Sequence, residues 1–268
     1  MPVSTDWIPL PHGLEVEEHL FVIGDVHGNA HLLEEALDWS GRQPQLGEQE
    51  LVFLGDIIDR GHENLRSIGL VMTGLPGMKT DILPGNHEIE LLRFLDGDDQ
   101  AYDAWLNIGG ATMIQEIDGL EDARGFRRIR SMLVDAIPEG FLREIRSGPG
   151  HLVRGGFLLV HAGVDPHVED PEAYLSMKFD EGDRKTHWAW IFDSFSEWAD
   201  GWERFNAEAV VHGHQPVLVE NWPQAFQASY GDLVSHRRLN LDFGSGVIDR
   251  LGGAEIHGNR LRFFGCGK

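Results

Sequence analysis

The chain has 268 residues, enough to bury a sizeable core, and the expectation is a single domain over 1–268 that carries one insertion. Its 22 basic residues against 44 acidic ones give a net charge of −22, and the lysines are only Lys79, Lys178, Lys185 and Lys268. Such a surface repels nucleic acid and anionic membrane, and it repels a phosphorylated substrate as well unless the site supplies its own positive charge.

The single cysteine, Cys266, lies at the end of the sequence, so neither a disulfide framework nor a thiolate metal site can form within one chain. The opening "MPVSTDWIPLPHG" lacks a basic segment followed by an apolar one, and no apolar run of membrane-spanning length occurs. The expectation is a cytoplasmic protein, with no partner chain to be inferred.

In chain order, β-rich runs recur, each ending on glycine and then on residues fit for chemistry. "HLFVIGDVHG" predicts a strand to Gly24, then Asp25 and His27, then a helix through Leu32, Leu33, Ala36 and Leu37. "ELVFLGDIIDRG" repeats the design with Asp56, Asp59 and Arg60, and "KTDILPGNHEIELLRFL" repeats it with Asn86, His87 and Glu88. From about 89 to 156 the periodicity is mostly helical and predicts an inserted helical segment. "GGFLLVHAGVDP" ends a strand at His161, and "EAVVHGHQPV" ends one near His212 and His214. Between them lies an irregular stretch with Trp188, Trp190, Phe192, Phe195, Trp198 and Trp202, either core for that segment or the wall of a substrate groove. The last part, "RRLNLDFGSG", "GAEIHG" and "RLRFFG", predicts antiparallel strands.

Strand, polar tip, helix is an α/β pattern, and in such sheets ligands sit beyond the carboxyl ends of the strands. Five tips would therefore converge. Asp25 and His27, two apart, point to one side of an extended chain, where one metal ion can take both. With Asp56, Asn86, His161 and His214 they form an oxygen and imidazole set without sulfur, suited to Mn²⁺, Fe or Zn²⁺ rather than Ca²⁺ or Mg²⁺ alone. The set is too large for a single ion; two ions about 3.5–4 Å apart, sharing Asp56, would use all six ligands. Their charge would neutralise the carboxylates and attract a phosphate that the rest of the surface repels.

The ordered blocks "GDVHG" (24–28), "GDIIDRG" (55–61), "GNHE" (85–88), "VHAG" (160–163) and "VHGHQ" (211–215) resemble the phosphoprotein phosphatase branch of the metallophosphoesterases, and most of all the bacterial and phage-type serine/threonine phosphatases. Further similarity lies in "WLNIGGATMI" (105–114) and "RLNLDFGSG" (238–246). The resemblance implies a four-layer αββα sandwich, two mixed β-sheets flanked by helices. It implies two divalent ions, Mn²⁺ foremost, the first held by Asp25, His27 and Asp56 and the second by Asp56, Asn86, His161 and His214. It also implies direct in-line attack by a metal-bridging hydroxide, His87 as general acid, Asp59 orienting that histidine, and Arg60 with Asn86 binding the phosphoryl group.

Related phosphatases carry a second arginine in a W-x-R context. Here "HWAWIFDSF" (187–195) has Phe192 or Asp193 in its place, with Arg184, Lys185 and Arg154 as candidate substitutes. His212 is expected to be a neighbour of the site rather than a ligand, and His62 a surface loop residue. "DGDDQ" (96–100) lacks the later ligands of a calcium loop and reads as a solvated turn. The expected function is metal-dependent hydrolysis of a phosphomonoester on a phosphorylated protein, chiefly phosphoserine or phosphothreonine with phosphotyrosine as a further substrate, or on a small phosphoester. The alternatives are a diadenosine-tetraphosphate-type hydrolase and a catalytically weak regulator that binds metal and phosphoprotein.

Overall fold

The computed structural model describes residues 2–12, 14–198 and 201–268. Its strands are β1 (Val3–Ser4), β2 (Ile8–Pro9), β3 (Val16–Ile23), β4 (Gln49–Phe53), β5 (Lys79–Ile82), β6 (His151–Arg154), β7 (Phe157–Val160), β8 (Ala209–His212), β9 (Arg238–Asn240), β10 (Arg250–Gly258) and β11 (Arg260–Gly267). The helices are α1 (Ala30–Gly41), α2 (Asn64–Thr73), α3 (Asn86–Leu95), α4 (Asp99–Trp105), α5 (Ala111–Glu116), α6 (Phe126–Ala136), α7 (Glu139–Ser147), α8 (Pro171–Leu175), α9 (Asp193–Ser196), α10 (Trp222–His236) and α11 (Ser245–Ile248). A π-helical turn, Leu106–Gly110, joins α4 to α5.

The strands form two mixed sheets. One runs β1-β11-β10-β3-β4-β5, with β2 on β11, and the other runs β6-β7-β8-β9. Alternation along the strands explains the layering, because successive side chains leave opposite faces of a sheet. Phe21, Ile23, Leu51 and Phe53 pack under the helices of the first sheet, whereas Leu20, Val22, Val52 and Leu54 meet Phe157, Leu159, Val211 and Leu239 of the second. Leu158, Val160 and Val210 point outward onto Trp188, Phe195 and Trp202. Helices, sheet, sheet and an outer layer give the expected αββα sandwich. Among the described residues no helix is long and apolar enough to cross a membrane.

Two expectations about the strands change. The helical stretch stops at Ser147, and 151–154 form β6, an edge strand antiparallel to β7. β9 is not antiparallel but pairs in parallel with β8, because α10 carries the chain back between them. That helix is capped by the Asn221 side chain, which accepts the Gln224 N–H at 3.1 Å. In the aromatic stretch Trp188, Phe195 and Trp202 are core, whereas Phe192 and Trp198 reach the surface. "DGDDQ" is a solvated helix start, with Asp98 capping α4 and Asp96, Asp98 and Asp99 paired with Arg146, Arg93 and Arg130.

Candidate metal centre

Each strand of the two sheet centres hands its next residues to one place. Asp25 and His27 follow β3, Asp56 and Asp59 follow β4, Asn86 and His87 open α3 after β5, His161 follows β7 and His214 follows β8. Of the eight described non-glycine residues with positive φ, five are here: His27, Asp56, Asp59, Arg60 and His214, between 48° and 73°. A left-handed backbone costs an ordinary residue roughly 1–2 kcal/mol, so the site is held in shape by its surroundings. Glu88 does much of the holding. Its carboxylate accepts the N–H groups of Asp56, Ile57, Ile58 and Gly85 at 2.9, 2.8, 3.2 and 2.9 Å, closing the Asp56 loop onto the first turn of α3.

His27 Nδ1–H donates to the Ile58 carbonyl at 3.2 Å, and His161 Nδ1–H donates to the Leu54 carbonyl at 2.8 Å. Both rings therefore turn Nε2 into the site, the arrangement metal-bound histidines use. His161 Nε2 lies 3.1 Å from Asn86 Oδ1 and 3.4 Å from Asp56 Oδ1, so three lone pairs face one another unless the ring takes a second proton. His27 Nε2 lies 3.7 Å from Asp56 Oδ2 and 3.9 Å from Asp25 Oδ2. Two clusters with mutual donor distances within 4.8 Å, His27/Asp56/His87 and Asp56/His161/His214, share Asp56. Converging lone pairs of oxygen and nitrogen, buried and without sulfur, fit a pair of divalent cations bridged by Asp56.

The electrostatics point the same way. Burial opposes ionisation of Asp56, but His161, His87 and His27 around it hold its carboxyl well below the usual range. Against its own burial, the Asp56 charge pushes His161 up to about 10. Burial pushes His214 down to about 3 and, with the nearby His87, holds His27 well below the usual range. Asp25 is driven well above the carboxylate range by burial and then by the like charge of Asp242, a residue to which the sequence reading gave no role. A cation would replace the protons these groups compete for.

His87 Nδ1 bonds Asp59 Oδ2 at 2.8 Å, and the Trp105 indole N–H donates to the same oxygen at 2.9 Å. His87 Nε2 has no partner and lies 3.8 Å from Asp56 Oδ2. The indole contact spans 46 residues, so only the three-dimensional fold could reveal it. Arg60 is exposed, its Nε donating to the Ile108 carbonyl at 3.2 Å. Its stem runs between two glycines: a Cβ on Gly109 would lie 2.7 Å from Arg60 Cγ, and one on Gly246 would lie 2.6 Å from both Arg60 Cδ and His27 Cδ2.

Two of the three candidate substitutes for a second arginine, Arg154 and Arg184, are engaged elsewhere. Arg154 joins Glu50 and Asp81 beyond the opposite end of the sheet, and Arg184 pairs with the buried Glu90 of α3 at 2.5 Å. His212 is buried against the Phe195 ring at 4.9 Å and belongs to neither cluster, while His62 is exposed.

The family model described as calcineurin-like phosphoesterase matches residues 19–218, the stretch that contains both clusters. The chain belongs to the calcineurin-like phosphoesterase family. This phosphoesterase is 37% identical over 215 residues to the asymmetrical bis(5'-nucleosyl)-tetraphosphatase PrpE of Anoxybacillus flavithermus, covering 75% of this chain and 80% of that protein. It is 27% identical over 216 residues to the protein of the same name from Oceanobacillus iheyensis, covering 74% and 77%. Among solved structures it superposes on a metallophosphoesterase from Sphaerobacter thermophilus with a TM-score of 0.51 at 15% identity, covering 94% and 89%. It also superposes on the cold-active protein-tyrosine phosphatase of a Shewanella species with a TM-score of 0.51 at 17% identity, covering 94% and 82%. At these identities the superpositions establish the fold.

Proposed function

We propose that this phosphoesterase hydrolyses phosphoserine or phosphothreonine in a phosphorylated protein, with two divalent ions, Mn²⁺ in preference to Fe or Zn²⁺. When bound, the ions activate water and neutralise phosphoryl charge. Asp25, His27 and Asp56 would hold one, and Asp56, Asn86, His161 and His214 the other. The observation that carries the reading is the buried His87–Asp59 pair, with a free Nε2 facing the site. An alkoxide leaving from serine or threonine is strongly basic and needs a proton; His87, oriented by Asp59 and Trp105, is placed to give it. Arg60 supplies the planar donor fork for the phosphoryl oxygens, with Asn86 beside it. The exposed aliphatic side chains of Leu218, on the loop after His214, and of Val247 and Ile248, on α11 beside Gly246, offer apolar contact to the rest of the substrate.

A second reading, hydrolysis of a diadenosine-tetraphosphate-type dinucleotide, is favoured by the names of the bacterial relatives. Its leaving group is itself a phosphate and depends less on an acid. A regulator that only binds phosphoprotein has no use for the His87–Asp59 pair. The deciding experiment compares kcat/KM of the Mn²⁺-loaded protein for a phosphothreonine peptide and for diadenosine tetraphosphate. A ratio well above one supports the protein-phosphatase reading, and a ratio well below one replaces it with the dinucleotide.

A further inference from the structure

Asp59 and Arg60 stand side by side with left-handed backbones, φ 73° and 68°, and two such residues in succession need an outside hold to keep that shape. The hold comes from the inserted helices. At the end of α4 the Trp105 ring is fully buried, and its indole N–H reaches Asp59 Oδ2 at 2.9 Å, the oxygen that His87 Nδ1 also uses. The other oxygen, Asp59 Oδ1, is buried without a partner, so besides His87 it is the indole that fixes the turn of the carboxylate.

The residues after Trp105 form the π-helical turn Leu106–Gly110, whose helical path breaks at Gly109 with φ 131° and ψ 3°. Single π-turns within helices are frequent at functional sites, and here the break turns two carbonyls towards Arg60. Ile108 accepts the Arg60 Nε–H at 3.2 Å, and Gly109 accepts the Arg60 backbone N–H at 3.3 Å. A Cβ on Gly109 would lie 2.7 Å from Arg60 Cγ, and one on Gly110 would run into the Trp105 ring, so both glycines permit a close approach. Beyond the turn, α5 grips the far end of the same loop. Asn64 Oδ1 accepts the Asp59 N–H at 2.6 Å, and the Glu116 carboxylate accepts the N–H groups of Asn64 and Leu65 at 2.6 and 3.0 Å.

We propose that Trp105 and the π-helical turn after it are a positioning element, through which the inserted helices hold Asp59 and Arg60 in register with each other. Trp105 keeps the Asp59–His87 pair aimed at the leaving group. The Ile108 carbonyl takes Arg60 Nε and leaves both Nη groups for phosphoryl oxygens, an ordering in advance that offsets the lack of a second arginine. This rests on the reading of His87 as the acid and Arg60 as the phosphate ligand.

The test replaces Trp105 by phenylalanine and, separately, by benzothienylalanine, which keeps the shape of the indole without its N–H and so serves if the smaller ring unsettles the core. Gly109→Ala probes the arginine. Each whole, Mn²⁺-loaded protein is assayed on a phosphothreonine peptide and on p-nitrophenyl phosphate, with inorganic phosphate as inhibitor and the melting temperature recorded. Both Trp105 replacements should lower kcat for the peptide by about 10–100-fold and for the nitrophenyl ester by no more than about threefold, because a nitrophenolate hardly needs the acid. Their inhibition by phosphate should stay as in the parent. Gly109→Ala should instead weaken that inhibition and raise KM by about tenfold on both esters alike. Equal losses on the two esters from benzothienylalanine, or no loss, would overturn the proposal, since a residue that only supports the fold does not distinguish leaving groups. Unchanged phosphate inhibition in Gly109→Ala would overturn the hold on Arg60. His87→Asn is the control for the underlying reading. If it too treats the esters alike, the acid assignment itself fails; if it separates them and the Trp105 replacements do not, the positioning element alone fails.

Discussion

Replacing His87 with asparagine tests the assignment on which the proposed chemistry turns. The imidazole is buried, spends Nδ1 on Asp59 and keeps only Nε2 for the reaction. A general acid contributes about 10²–10⁴-fold, so His87→Asn should lower kcat for a phosphothreonine peptide by about 10³, roughly 4 kcal/mol of transition-state stabilisation. With p-nitrophenyl phosphate, whose leaving phenolate is stable near neutrality, the loss should be no more than about tenfold. The variant also removes a partner of the buried Asp59, leaving it the Trp105 N–H, so the fold should lose about 1–3 kcal/mol; assays belong well below the variant's melting temperature. Steady-state kinetics on both substrates at saturating Mn²⁺ decides the matter. Equal losses on both would refute the acid assignment and make His87 a metal ligand instead, as its place in the His27/Asp56/His87 cluster would permit.

Gly246→Ala puts a methyl group against Arg60 Cδ and His27 Cδ2, and if Arg60 holds the phosphoryl group as proposed, displacing it by about 1 Å should cost on the order of 10²-fold in kcat/KM and weaken inhibition by inorganic phosphate; unchanged kinetics would remove Arg60 from the substrate site. Chelation with EDTA should abolish activity and lower the melting temperature, both restored by Mn²⁺, and Asp56→Asn should make the protein indifferent to either treatment. Arg154→Ala should destabilise the fold by about 2 kcal/mol at neutral pH without changing kcat, by stripping Glu50 of its main partner. Glu50 is buried, which opposes its ionisation, yet Arg154 and Lys79 hold it below the ordinary glutamate range. A depressed carboxylate stabilises the folded state above its unfolded pKa, so the difference between variant and parent should be constant above about pH 5 and shrink as pH falls through about 4.

The convergence of Asp25, His27, Asp56, Asn86, His161 and His214 was legible because each stands next to a glycine or one residue beyond it, at the end of an apolar run, where a strand must stop and a polar group has no packing to do. The layers followed from the family resemblance alone: Leu20 to Ile23 and Leu51 to Leu54 are apolar throughout, so the runs mark buried strands without saying which residue takes which face. β9 was misread because orientation depends on where α10 returns the chain, and a three-residue strand carries no mark of its direction. Glu88 stood out with Asn86 and His87, but its structural task did not, and Trp105 looked like core; their bonds to the Asp56 loop and to Asp59 exist only once distant segments meet. The missing second arginine was legible as an absence, but of the substitutes proposed, Arg184, Lys185 and Arg154, the two arginines already have carboxylate partners.

The left-handed backbone at His27, Asp56, Asp59, Arg60 and His214 sets stability against activity in this protein. Glycine or asparagine would relax each of those positions, so a search for thermostable variants that scores folding alone should accumulate such replacements at the strand tips first. The most heat-resistant descendants of this chain would then be the ones that had stopped being enzymes, and any stabilisation campaign should leave these five positions fixed and spend its changes on the outer faces of the helices.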